Sequence, residues 1–141
     1  MRLVLCILAS GLFAGAHAGQ ACSFGAAPTA EATRRDVAEA LERAVILDAV
    51  VERAYTVING TEEGPAILRA LRIWKGPRQE RFLVVAPTSC DVGFIERDVG
   101  RQVRVVLWGG PELYARRIVR QPRLYNRLLD RALRRMTPYT P

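Results

Sequence analysis

Two stretches of the chain repeat their apolar residues at the spacing of an α-helix. In the first, Thr29 or Thr33 can act as the N-cap, and the spacing predicts a helix near residues 34–43. The apolar positions that define this helix are Val37, Ala40, Leu41 and Ala44. A second helix is predicted from Pro122, because proline suits the first turn. Its apolar stripe consists of Leu124, Tyr125, Leu128, Leu129, Ala132, Leu133 and Met136.

Between these helices the sequence favours β-strands separated by turn signals. Five segments are rich in Val, Ile, Leu and aromatic residues: 44–57, which bends near Asp48, then 66–74, 81–86, 102–108 and a weaker one within 113–119. Asn59-Gly60, Gly76-Pro77 and Gly109-Gly110-Pro111 predict the intervening turns. We therefore expect a mainly β protein, an OB-fold-like five-stranded Greek-key barrel with an N-terminal and a C-terminal helix.

The first residues have the features of an export signal. Arg2 is followed by an apolar run over residues 3–14 and by the small residues of Ala16-His17-Ala18. The run is too short to span a bilayer comfortably. Cleavage after Ala18 or after Ala21 fits the small-x-small rule, so residues 1–21 are expected to be a signal peptide and 22–141 a single domain. The expected location is secreted or periplasmic, with no transmembrane segment after processing.

Two of the three cysteines remain once Cys6 leaves with the signal. Exported proteins meet an oxidising environment, so Cys22 and Cys90 are expected to form a disulfide. Two free thiols or a metal site are the alternatives. A metal site would lack histidine, because His17 is removed with the signal.

The loss of the only histidine also argues against an enzyme. Ser-His and Cys-His catalysis cannot be built without it, and the mature chain keeps only Ser23 and Ser89 as serines. Glu62 and Glu63 lie in a turn-like stretch where solvated carboxylates are expected. We therefore expect no catalytic residues, no metal and no cofactor.

The charge of the chain favours anionic partners. There are 21 Lys and Arg residues against 14 Asp and Glu, which gives a net charge of +7. Arg123, Arg127, Arg131 and Arg134 lie on the side of the last helix opposite its apolar stripe, and they are candidate contacts to an anionic surface. Export makes acidic glycans, lipopolysaccharide, anionic lipid or an acidic protein better candidates than nucleic acid. The alternative is a solvated helix face without a partner.

Several segments together resemble a known family. They are Ala21-Cys22-Ser23, the apolar run 44–51, the segment 71–77 with its Trp74-Lys75-Gly76, the strand 82–85, Cys90 and Asp98-Val99-Gly100. This set resembles netrin-like (NTR) domains and tissue inhibitors of metalloproteinases, especially the exported microbial members. The resemblance covers residues 22 to about 108 and implies an OB-fold barrel with Cys22 bonded to Cys90. Within the motif, Trp74 is expected to be a core or barrel-rim aromatic, and Lys75 a solvated charge before a turn.

The resemblance also implies a mode of action. In the animal inhibitors the first cysteine chelates the catalytic zinc of a protease through its free amine and carbonyl, and adjacent residues fill the cleft. Cys22, Ser23 and Phe24 occupy the matching positions, with Phe24 where the family has a second cysteine. Cleavage after Ala18 would leave three residues ahead of Cys22 and convert that amine to an amide.

The function expected from the sequence is thus a monomeric, exported, non-catalytic binding or inhibitory module. Its expected partner is an extracytoplasmic zinc metalloprotease. The alternative is an Arg-rich envelope-binding protein for an anionic glycan, a lipid or an acidic protein.

Overall fold

The computed structural model describes residues 26–55, 57–58, 61–62, 64–86, 93–117 and 119–141, with only the backbone described at 57–58 and 61–62. The elements in chain order are α1 (Ala30–Arg43), β1 (Val45–Arg53), β2 (Val57–Ile58), β3 (Thr61–Glu62), β4 (Ala66–Lys75), β5 (Arg81–Val85), a 3₁₀ helix (Glu96–Asp98), β6 (Gln102–Gly109), β7 (Tyr114–Arg116) and α2 (Pro122–Leu133).

Five of the strands close into a barrel in the order β1-β4-β5-β7-β6. β1 pairs antiparallel with β4 on one side and with β6 on the other. β5 and β7 pair in parallel, which is the arrangement of the third and fifth strands of an OB fold. β2 and β3 form a separate two-stranded hairpin. The expected mainly β, OB-fold-like barrel with a helix towards each end of the chain is confirmed.

The barrel interior is filled by one face of each strand. Because side chains alternate along a strand, β1 sends every second residue inward, and these inward residues are fully or almost fully buried. Phe82 and Tyr114 meet inside with ring centroids 5.5 Å apart. The interior cluster comprises Val45, Leu47, Ala49, Val51, Ala66, Leu68, Ala70, Ile73, Phe82, Val84, Phe94, Val105, Leu107 and Tyr114.

An extra residue in β4 changes which residues face inward. Ala49 of β1 pairs with Ala70, whereas Asp48 pairs with Arg72, so Leu71 is an extra residue on β4. In a regular strand, Ala70 and Ile73 would face opposite sides of the sheet, because they are three positions apart. The extra residue resets the alternation of side chains, so both are buried inside the barrel. The strand was predicted, but Ile67 and Leu71 are only half-buried, and the inward positions before the bulge are Ala66, Leu68 and Ala70.

The two helices pack together on the outside of the barrel. Their apolar faces meet outward-facing residues of β1, β4 and β6 in a second cluster centred on Val37, Ala40, Ala44, Ile46, Tyr125, Leu129 and Leu133. The helix starts are joined through Gln121, whose side-chain amide donates to the Pro28 carbonyl. The buried Thr33 hydroxyl lies 3.2 Å from Gln121 Oε1. The apolar stripe predicted for the last helix therefore packs on the core of its own domain.

The start of the first helix and the end of the first strand differ from the predicted ones. α1 begins at Ala30 because Thr29 is the N-cap, its hydroxyl accepting from the Ala32 amide at 3.1 Å. The predicted strand 44–57 ends at Arg53, and Val57 belongs to the hairpin. The predicted turn Asn59-Gly60 lies outside the described residues. Within the described ranges, no helix has the length and apolar character needed to cross a bilayer.

A matched pair of leucines tests the barrel interior. Leu68 is 0% exposed inside the barrel, whereas Leu83, on the neighbouring strand, is 37% exposed on its outer face. We expect Leu68→Ala to lower the free energy of unfolding by about 2–5 kcal/mol, because it leaves a cavity, and Leu83→Ala to lower it by less than about 1 kcal/mol. Urea denaturation of both variants measures the difference. Equal losses would contradict the assigned strand faces.

Candidate functional site

The residues expected to contact a protease, Cys22, Ser23 and Phe24, lie outside the described residues, as does Cys90. The expected disulfide and the expected zinc-chelating N-terminus therefore stay predictions. The four arginines of the last helix are described in full, and they form the first candidate site.

Arg123, Arg127 and Arg131 of α2 and Arg134, the C-cap residue, are all exposed and lie on one side of the helix. Spaced four, four and three residues apart, they form a stripe about 16 Å long. Within the described part of the chain, none of these four makes an ion pair or a side-chain hydrogen bond. We call this set the arginine stripe.

Several arginines of the barrel, in contrast, are paired with carboxylates. Glu52 of β1 lies between Arg69 and Arg81, at 3.0 and 2.9 Å, and the Arg81 hydrogen bond is the main cause that lowers the pKa of Glu52. Arg101 pairs with Asp98 at 3.1 Å. The arginine stripe differs from these paired arginines in keeping its donors available to solvent and to a partner.

A second polar group joins α2 to the barrel. Arg104 of β6 donates to both carboxylate oxygens of Asp48, from Nε at 2.6 Å and from Nη2 at 3.1 Å, and it also donates to Asp130 of α2. The Trp74 indole donates to Asp48 at 3.0 Å, and its ring lies under the Arg104 guanidinium. The bidentate bond to Asp48 is the main cause that raises the pKa of Arg104.

The Trp74-Lys75-Gly76 motif has a structural role in this arrangement. Lys75 was expected to be a solvated charge, but Nζ donates to the backbone carbonyls of Glu42 and Ala44 at 2.6 and 3.3 Å. It therefore caps the C-terminal end of α1, where the helix dipole favours a cation. Gly76 has φ +122°, and a Cβ there would lie 2.7 Å from Val45 Cγ1, so only glycine fits.

A cleft of about 410 Å³ lies between the two helices and the outside of β6 and β7. Val106, Trp108, Val119 and Leu129 form its apolar part. Its charged and polar lining consists of Asp36 and Glu39 from α1, Arg104, Arg116 and Arg117 from the barrel side, and Tyr125 and Asn126 from α2. Its volume suits a small ligand or one large side chain of a partner.

Arg117 lies across the wall of this cleft. Its guanidinium carbon is 3.9 Å from the centroid of the Trp108 ring, and Nη1 is 3.6 Å from Glu39 Oε1. Asp36, one turn before Glu39 on α1, is exposed and forms no ion pair or hydrogen bond with any described residue.

Tyr125 is the most deeply buried aromatic residue of the cleft lining. It is only 5% exposed, and its hydroxyl makes no hydrogen bond with the described residues. The described residues contain no enclosed side-chain oxygen or nitrogen without a partner, so this hydroxyl keeps some contact with solvent. Burial, with smaller effects from Asp36 and Glu39, raises the pKa of Tyr125 to about 12.

The sequence predicted the arginine stripe but not the cleft. Asp36 and Glu39 are three residues apart on a predicted helix, which places them on one side, but nothing in the sequence brings Trp108 and Tyr125 beside them. In the segments that the structure describes, no three His, Cys, Asp or Glu side chains are grouped so as to hold a metal ion.

The environment of Tyr125 predicts a loss of stability at alkaline pH. Its folded pKa is raised from about 10 to about 12, so the folded protein keeps a proton that the unfolded chain releases. The stabilisation is complete below pH 10 and is lost as pH rises through 12. We expect Tyr125→Phe to reduce this loss and the exposed control Tyr139→Phe to leave it unchanged, as measured by denaturation against pH. Equal behaviour of the two variants would contradict the buried environment of Tyr125.

The resemblance to netrin-like domains depends on short motifs. One of them, Trp74-Lys75-Gly76, has a structural role here, because Trp74 bonds to Asp48 and Lys75 caps α1. Comparisons of the chain with protein-family models, with curated proteins and with solved structures returned no match. The resemblance therefore stays a prediction, whereas the closed barrel and its two helices are properties of the structure itself.

Proposed function

We propose that this protein is an exported, non-catalytic binding module that docks on anionic envelope components through the arginine stripe. The observation that carries the proposal is the stripe itself, four exposed arginines on one side of α2 without carboxylate partners among the described residues. Unpaired guanidinium groups offer bidentate donors to phosphate, sulfate or carboxylate groups.

The packing of α2 limits how such docking can occur. Tyr125, Leu129 and Leu133 are buried against α1 and the barrel, so the apolar side of α2 is already used. The helix therefore has no apolar face left to insert between lipid chains. Binding is expected to be electrostatic, to occur through the exposed side of the helix and to weaken as salt is added.

Charge reversal tests the arginine stripe. We expect the double variant with Arg127→Glu and Arg131→Glu to elute from an immobilised heparin or lipopolysaccharide column at much lower salt than the unchanged protein. The reason is that two attractive contacts become repulsive. The matched control is Arg34→Glu combined with Arg97→Glu, which makes the same change in net charge on α1 and the 3₁₀ helix.

The control is expected to lose little retention, because its arginines lie on other elements. If both double variants elute together, net charge alone governs retention and the stripe is an ordinary solvated face.

A second candidate is inhibition of an extracytoplasmic zinc metalloprotease by Cys22, Ser23 and Phe24. This candidate rests on the netrin-like resemblance of the sequence, and the barrel has the OB-fold strand order that this resemblance implies. A catalytic zinc keeps one position open, and a neutral α-amine beside its own carbonyl can occupy it. Only cleavage after Ala21 gives Cys22 such an amine.

Two forms of the protein test this candidate, one beginning at Gly19 and one at Cys22. We expect only the Cys22 form to inhibit members of a panel of zinc proteases, because an amide nitrogen has no lone pair to offer the metal. The Gly19 form is the control, since it shares the whole domain. Equal inhibition by both forms would exclude chelation, and inhibition by neither would remove this candidate.

A further inference from the structure

Two carboxylates of α1, Asp36 and Glu39, line the cleft between the helices and the barrel, together with three arginines. Two of these arginines are held elsewhere: Arg104 is paired with Asp48 and Asp130, and the Arg116 guanidinium lies over the Phe94 ring. Arg117 is thus the lining arginine that faces the two carboxylates, and a guanidinium group is the ligand that complements them.

We propose that this cleft binds an arginine side chain of a partner peptide, and that Arg117 occupies the guanidinium position while the partner is absent. The proposal concerns a surface other than the arginine stripe, and it does not depend on the function proposed above.

The lining residues supply each contact that a guanidinium group needs. The Trp108 ring offers a flat face for stacking, and the structure already shows a guanidinium on it, that of Arg117 at 3.9 Å. Asp36 and Glu39 offer carboxylates, of which Asp36 has no partner among the described residues. Tyr125 lines the cleft and is 5% exposed, and its hydroxyl offers an acceptor without a partner among the described residues.

Arg117 is held loosely compared with Arg104. Its side chain is 59% exposed, and its distance of 3.6 Å to Glu39 exceeds that of a charge-assisted hydrogen bond. Arg104, in contrast, makes a bidentate bond to Asp48 and a further bond to Asp130. A second guanidinium could therefore replace Arg117 on Trp108 without disturbing the network that joins α2 to the barrel.

The test uses a pair of probes, N-acetyl-arginine amide and its neutral counterpart N-acetyl-citrulline amide, which has nearly the same shape. Binding to the full chain is followed by the NMR shift of the Trp108 indole N–H, with Trp74 as the internal reference. We expect the arginine probe alone to shift Trp108. Removing the competing side chain in Arg117→Ala should tighten its binding about tenfold. Arg117→Gln serves as a second variant that keeps more of the side chain.

Asp36→Asn should weaken the arginine probe several-fold, because it removes the unpaired carboxylate. The control Glu42→Gln, on the same helix but outside the cleft lining, should leave binding unchanged. Equal shifts with the two probes would overturn the proposal. So would Arg117→Ala and Arg117→Gln variants that are folded, as judged by their spectra, but bind the arginine probe no more tightly than the unchanged protein.

Discussion

Closure of the sheet through β1 is the constraint on which the rest of the structure depends. β1 is hydrogen-bonded to β4 along one edge and to β6 along the other, so neither edge is left open. A closed sheet has an inside that only its own side chains can fill, which requires apolar residues at every second position. Its outside can be polar or apolar, and the apolar part needs the two helices to cover it.

The attachment of the helices follows from residues on the outer face of the same strands. Asp48 points away from the core and receives hydrogen bonds from Trp74 and Arg104, and Arg104 reaches α2 through Asp130. Lys75 holds the other helix by its C-terminal carbonyls. Since these groups belong to three adjacent strands, the helices are positioned by the barrel. The cleft is the space that this positioning leaves.

The helix pair presents two different surfaces. The exposed side of α2 carries unpaired arginines, whereas the side that faces α1 and β6 borders a cleft lined by carboxylates, arginines and aromatic rings. Asp130 of α2 is paired with Arg104 and with no arginine of the stripe. The stripe and the cleft consist of different residues, so a substitution can alter one surface without removing a side chain from the other.

The sequence by itself determined the two helices and the five strands of the barrel, because periodicity and turn residues act over short distances, but it did not predict the strands of the β2–β3 hairpin or the 3₁₀ helix. It predicted the four arginines of the stripe as well. The bulge at Leu71 could not be predicted, because an extra residue is defined only by what lies opposite on β1. The bonds of Lys75 depend on where α1 ends relative to β4. The cleft joins Asp36, Trp108, Arg117 and Tyr125, which are distant in the chain. Only barrel closure and helix packing bring such residues together, since contacts between distant segments depend on the whole tertiary arrangement and not on any local pattern.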